Sequence, residues 1–388
     1  MMTQPLLITN AQILLPTAHW RRGWLLCTDG RIDRMSEGGA PSFDGVETID
    51  ASGFTLLPGF IDIHVHGGIG HEVMDAQPDT LSHLAKFYAQ HGCTSFLATT
   101  WTDTRRRICA ALQNVSAHVG AQPDGATVLG AHLEGPYLNA EKRGAQNSEY
   151  IRRAEREEAL EFLDIGVMRL LALAPEYDEN HWLIRECIRR GITVSAAHTS
   201  ATYDQMRAAV AMGLKQTTHT FNAMTGLHHR EPGTVGAALT TPEICCEVIA
   251  DNIHVHPATM DVLYRAKGAH GVILITDSVR GAGMPEGEYP IDDRMTIVRD
   301  GAVRLPDGTL AGSTLTMEKA LYNFMQATGR PLSELWQCSS LNAARAIGVS
   351  ARKGSLEVGK DADVVLVDSA INVHLTVVEG RIAYRRLT

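Results

Sequence analysis

Six side chains have the types that hold metals and move protons: His64, His66, Glu134, His198, His219 and Asp277. Each stands at or near the end of a short apolar run, namely FIDIHVH, ATVLGAHLE, ITVSAAH, KQTTHTF and GVILITD. Imidazoles and carboxylates suit a borderline divalent ion such as zinc, with iron, manganese and cobalt as alternatives. Residues i and i+2 of a strand point the same way, so His64 and His66 can face one ion. An ion lowers the pKa of bound water and polarises an electrophilic oxygen. Asp277 could then take the proton from water and deliver it to a leaving group, as base and then acid. This set describes hydrolysis of a carbonyl-type bond. His132 lacks ligand spacing and reads as a core histidine.

Residues more than 200 positions apart in the sequence must be gathered for this to work. Between residues 58 and 353, apolar runs alternate with amphipathic stretches. To the five runs above are added TSFLATT, MRLLALAP and CCEVIAD, which makes eight. KQTTHTF is the least apolar of them. TLSHLAKFYAQHG, NHWLIRECIRRG and YDQMRAAVAMG are helix-like and end in glycine. Eight strand–helix repeats predict an α/β fold, a closed (β/α)8 TIM barrel. A doubly wound sheet is the main alternative, but no glycine-rich dinucleotide fingerprint follows the first run. Parallel strands share a direction, so the polar run ends fall on one rim. That C-terminal rim is where barrels place their chemistry.

Both ends of the chain differ from this rhythm. Residues 1–57 and 354–388 read as short strands broken by Asp-Gly and Ser-Gly turns, and predict one small β-sandwich built from both termini. The stretch 281–310 reads as a β-hairpin inserted after the eighth strand, shaping the mouth of the barrel.

The chain has 388 residues, 44% hydrophobic and 20% charged, as expected of a soluble globular protein. A net charge of -9 argues against broad nucleic-acid binding. No apolar stretch reaches the roughly 20 residues of a membrane span. The start, MMTQPLLITNAQILLP, lacks the basic region of a signal peptide. Seven scattered cysteines without a CxxC pair predict neither a disulfide framework nor a cysteine metal site, and fit a reducing cytoplasm. Cys245 and Cys246 read as buried strand thiols.

Longer segments carry a resemblance. LPGFIDIHVHGG, GAHLEGPYLNAEKRGAQN, LLALAPE, SAAHTSATYDQM, THTFNAMTGLHHREPG, IADNIHVHP, LITDSVRGAG and LAGSTLTMEKAL span nearly the whole chain. Together they resemble the amidohydrolase superfamily and, within it, the N-acetylglucosamine-6-phosphate deacetylases. PGFIDIHVHG is similar to amidohydrolases at large. HLEGP, THTFNAM with REPG, and AGSTLTM are more specific. The resemblance implies that Glu134, His198 and His219 are the main metal ligands and Asp277 the catalytic aspartate. It implies that Asn222, Ala223, Arg230 and His254 hold a sugar phosphate. It implies further substrate-site positions at Ala145, Gln146, Asp251, Leu310, Ala311, Gly312 and Ser313. It also implies a homodimer in which Arg230 reaches the neighbouring site. The guanidinium fork of Arg230, in a loop with Gly and Pro, suits a phosphate.

Two departures matter. Some members lack the first His-x-His pair, whereas His64 and His66 are kept here. That leaves two readings open: a second ion, or a metal-free structural pair. Some members carry a histidine where this chain has Gln146, which donates a hydrogen bond but brings no charge. The expected activity is release of acetate from N-acetyl-D-glucosamine 6-phosphate. The alternatives are the N-acetylgalactosamine 6-phosphate enzyme, another amidohydrolase acting on a different amide, and a non-catalytic amidohydrolase scaffold.

Overall fold

The computed structural model describes residues 4–386. Eight strands form one sheet: Phe60–Val65, Cys93–Thr100, Thr127–Glu134, Met168–Leu173, Thr193–Ala196, Gln216–Thr217, Cys245–Ile249 and Val272–Ile275. They correspond to the eight expected runs, and neighbours in sequence pair in parallel around the sheet. The circle closes where Val65 bridges Ser278, with Asp277 N donating to His64 O at 2.9 Å and His66 N to Ser278 O at 2.8 Å. The fold is the (β/α)8 barrel.

A helix lies between successive strands because the connecting segments carry one apolar face. Asp178–Arg189 buries Asn180, Leu183, Ile184 and Cys187, the i, i+3, i+4, i+7 stripe of a helix against a sheet. Tyr203–Ala211 begins directly after the His198 loop because Thr202 and Gln205 cap it reciprocally.

The weakest run gives the shortest strand. Gln216–Thr217 has two paired residues before the chain leaves the ladder. Thr217 and Thr220 bond each other through their hydroxyls at 2.8 Å, and Thr220 N donates to Glu247 O at 2.8 Å. Threonine-rich backbone thus finds partners outside a strand.

The insertion is larger than the single hairpin expected near 281–310. Gly287–Ile291, Arg294–Arg299, Ala302–Arg304 and Leu310–Ser313 make a four-stranded antiparallel sheet. Its last strand returns to the barrel rim, where Ser313 N donates to Asp277 O at 2.8 Å. The turns at Asp292 and Asp300 take positive φ, which short polar residues tolerate.

The two ends of the chain share one eight-stranded sheet. Thr55–Pro58 joins them, antiparallel to Val364–Val367 and parallel to Leu6–Leu14. Strand alternation splits its residues between two cores. Leu56, Val364 and Leu366 pack inside the terminal unit with Leu25 and Leu375, so the sheet curls into a small sandwich. Leu57, Val365 and Val367 face the barrel and join its core. At this junction the buried Lys353 Nζ meets Asp363 at 2.7 Å, and Asp361 and Glu379 at 3.1 Å each.

Candidate active site

The barrel brings His64, His66, Glu134, His198, His219 and Asp277 to one rim, all of them buried. His198, His219 and Asp277 take φ of 42°, 29° and 51°. Left-handed backbone at non-glycine residues costs about 1–3 kcal/mol each. It turns the chain off the strand direction at the point where each side chain must face inward.

Glu134 is the hub. Its Oε1 lies 3.2 Å from His198 Nε2 and 3.0 Å from His219 Nε2. Its Oε2 lies 3.2 Å from His66 Nε2 and 3.5 Å from His64 Nε2. Asp277 Oδ1 adds 3.3 Å to His66 and 3.5 Å to His64. Each carboxylate oxygen of Glu134 therefore serves one histidine pair. The two groups, His64–His66–Glu134 and Glu134–His198–His219, each offer atoms within 4.8 Å of one another.

Elements behind the rim aim these rings. His198 Nδ1 bonds Lys142 O at 2.8 Å, which leaves Nε2 toward Glu134. His64 Nδ1 meets Glu247 Oε2 at 3.1 Å. Glu247 also accepts from Gln216 Nε2 and from His219 N. His66 stacks on Trp101 at 4.0 Å. His132 is the core histidine expected: it packs edge-on to His64, and burial, with the charge of His64, holds it well below the usual imidazole range.

Burial opposes charge on His64, His66, Glu134 and Asp277, yet their partners overcome it. Glu134 is held well below the ordinary carboxyl value by His64 and by hydrogen bonds from His198 and His219. Asp277 is lowered by His64 and His66. Glu134 and Asp277 in turn push His64 well above the ordinary imidazole value. Two buried carboxylates thus demand positive charge between them.

The donor set fits a divalent ion. In each pair the Nε2 atoms sit close, 3.3 Å for His64 and His66 and 3.2 Å for His198 and His219. Tetrahedral ligands at about 2.05 Å from one ion are spaced by about 3.3 Å. Asp277 Oδ1 is buried without a well-aligned hydrogen bond.

Above the cluster lies a cavity of about 300 Å³. Of the residues expected to touch substrate, Ala145, Gln146, Asn222, Ala223, His254, Leu310 and Gly312 line it. Asp251 stands behind, holding His254 through Nδ1 at 2.6 Å and through N at 2.7 Å. Ala311 is buried beneath the wall, and Ser313 Oγ is committed to Thr276 O. Arg230 is exposed, outside the cavity of its own chain, with Nη1 2.7 Å from His229 Nε2. Gln146 is fixed at both ends of its amide: Oε1 accepts from Thr102 N at 2.9 Å and Nε2 donates to Glu134 Oε2 at 2.8 Å.

Sequence reasoning missed Glu247, Trp101, and Glu141, Lys142 and Thr309 of the cavity wall. For Glu247 a signal existed, one acid inside the apolar run CCEVIAD. Trp101 only follows a strand, and the wall residues lie in loops without a pattern.

This fold and site define a class, and the chain belongs to it: the amidohydrolase family, whose pattern matches residues 55–383. Within that family it is similar to amino-sugar phosphate deacetylases. It is 38% identical to the N-acetylglucosamine-6-phosphate deacetylase of Vibrio furnissii, over 98% of this chain and 95% of that one. It is 39% identical to the N-acetylgalactosamine-6-phosphate deacetylase of Escherichia coli O157:H7, over 93% and 96%. A solved structure of a mutant N-acetyl-D-glucosamine-6-phosphate deacetylase from Mycobacterium smegmatis, in complex with N-acetyl-D-glucosamine-6-phosphate, matches with a TM-score of 0.91. It is 30% identical and covers 98% of this chain and 99% of its own.

Proposed function

We propose that the chain hydrolyses the acetamide of N-acetyl-D-glucosamine 6-phosphate to D-glucosamine 6-phosphate and acetate, in amino-sugar catabolism. The observation that carries this reading is Glu134 set between two histidine pairs, with Asp277 beside it, at the foot of a sugar-sized cavity. The deacetylase relatives, similar over nearly their whole length, support the substrate class.

One or two divalent ions per chain, zinc first among the candidates and iron, manganese or cobalt after it, would be held by His64, His66 and Glu134 and by Glu134, His198 and His219. When bound, such an ion acidifies water and polarises the acetamide carbonyl. Asp277 takes the proton of the attacking water on its carboxylate and passes it to the departing amine nitrogen. Gln146 keeps Glu134 from rotating. Asn222, the Ala223 backbone and His254 receive the 6-phosphate from one chain. Arg230 reaches it from a second copy, so the working unit is a homodimer. The seven cysteines are free thiols, which a reducing cytoplasm preserves.

The relative that acts on the galacto epimer favours one second reading, N-acetyl-D-galactosamine 6-phosphate as substrate. Bound metal per chain and acetate release from both N-acetylated amino-sugar 6-phosphates and their unphosphorylated forms decide the matter. Preference for an unphosphorylated sugar would remove the phosphate assignment and leave the amide hydrolase.

A further inference from the structure

We infer that Arg294, at the tip of the first hairpin of the insertion, is a positioning residue that clamps the substrate loop 140–146 against the metal cluster. This inference rests on the deacetylase reading for its kinetic arm only.

The hairpin Gly287–Ile291 and Arg294–Arg299 turns at Asp292 and Asp293. Asp292 is backed into a positive φ of 45° and its carboxylate grips Arg294 twice, at 3.0 Å to Nε and 2.6 Å to Nη2. Held that way, Arg294 Nη2 donates to Ala145 O at 2.7 Å. A charged donor fixed by a planar fork on one side and a carbonyl on the other is a strong, directional link.

The loop it holds is attached to the chemistry at two points. Lys142 O receives His198 Nδ1, and Gln146 Nε2 reaches Glu134 Oε2. The loop also sits tightly on the ring: a Cβ at Gly144 would lie 3.3 Å from His198 Cε1. The same loop and the insertion both line the cavity, Ala145 from one and Thr309, Leu310 and Gly312 from the other. The guanidinium of Arg294 therefore fixes the spacing of the two walls without lining the cavity itself.

The test is Arg294→Met beside Arg294→Lys and Asp292→Asn, with hydrogen exchange, metal content and deacetylation measured on each. In Arg294→Met, exchange in residues 140–146 is expected to quicken about tenfold while the barrel strands stay unchanged. KM for the sugar phosphate is expected to rise about tenfold with metal content intact, because a loosened wall weakens positioning. Arg294→Lys restores part of KM, and Asp292→Asn shifts it less than Arg294→Met. Unchanged exchange in the loop overturns the clamp, whatever the substrate proves to be. Loosened exchange with unchanged KM overturns its role in substrate positioning. If the unaltered protein releases no acetate from the phosphorylated sugar, the deacetylase reading fails, and exchange still decides the clamp.

Discussion

Glu247 Oε2 lies 3.1 Å from His64 Nδ1 and thereby decides which nitrogen of that ring faces the site. Glu247 already accepts from Gln216 Nε2 and His219 N, so it acts toward His64 as an acceptor too. Nδ1 then carries the hydrogen, and Nε2 keeps its lone pair for a cation. Replacing Glu247 by Gln is expected to weaken a divalent ion held through His64 by about 10–100-fold. Metal titration by calorimetry checks this, and parental metal affinity in the variant would contradict it.

Asp277→Asn keeps the size of the side chain and removes its capacity to take a proton. Turnover is expected to fall by about 10²–10⁴-fold with metal content and melting temperature close to the parent. Near-parental kcat for acetate release would take Asp277 out of the proton path.

Arg230 stands outside its own cavity, so its role can be assigned to a chain by mixing. Arg230→Ala is expected to raise KM for phosphorylated substrate, and Asp277→Asn to cut turnover as above. Co-refolded, the two variants are expected to form mixed dimers holding one intact site, with parental KM for that fraction. If mixing restores nothing, Arg230 does not act across a dimer.

Lys353 is buried among Asp361, Asp363 and Glu379. Asp363 is pushed up by burial while Lys353 draws it down, and those carboxylates raise the ammonium above its usual value despite burial. A raised lysine contributes stability that is complete below its unfolded pKa and fades only as pH climbs past it, so the contribution is present at neutral pH. Lys353→Met should destabilise the protein by about 3–5 kcal/mol at pH 7, because Asp363 and Glu379 lose their cation while Asp361 keeps Arg352. The loss should shrink toward pH ~4–5, where carboxylates accept protons. Chemical denaturation at the two pH values measures it; a pH-independent deficit would assign the effect to packing.

Much of this arrangement was legible in the residues. Period and run length gave the barrel, and polar residues closing apolar runs marked the rim. The sixth strand is the least secure because its threonines satisfy the backbone locally, and it is the shortest of the barrel strands. The left-handed turns at His198, His219 and Asp277 left no trace in the sequence, because closure of the barrel imposes them and not local preference. The extent of the insertion was hidden for a related reason. Its strands are three to six residues long and pair across turns that read equally well as loop. The hold of Arg294 on Ala145 spans 149 positions, a separation no local pattern can report.

Thr55–Pro58 waits for Val364–Val367, more than 300 residues downstream, to supply one of its neighbours. On the ribosome the early strands therefore emerge long before that partner exists, while Leu57 has to seat against a barrel not yet made. All eight barrel strands precede Val364–Val367 in the chain, so the edge that Thr55–Pro58 offers is sealed only by a segment made after every one of them.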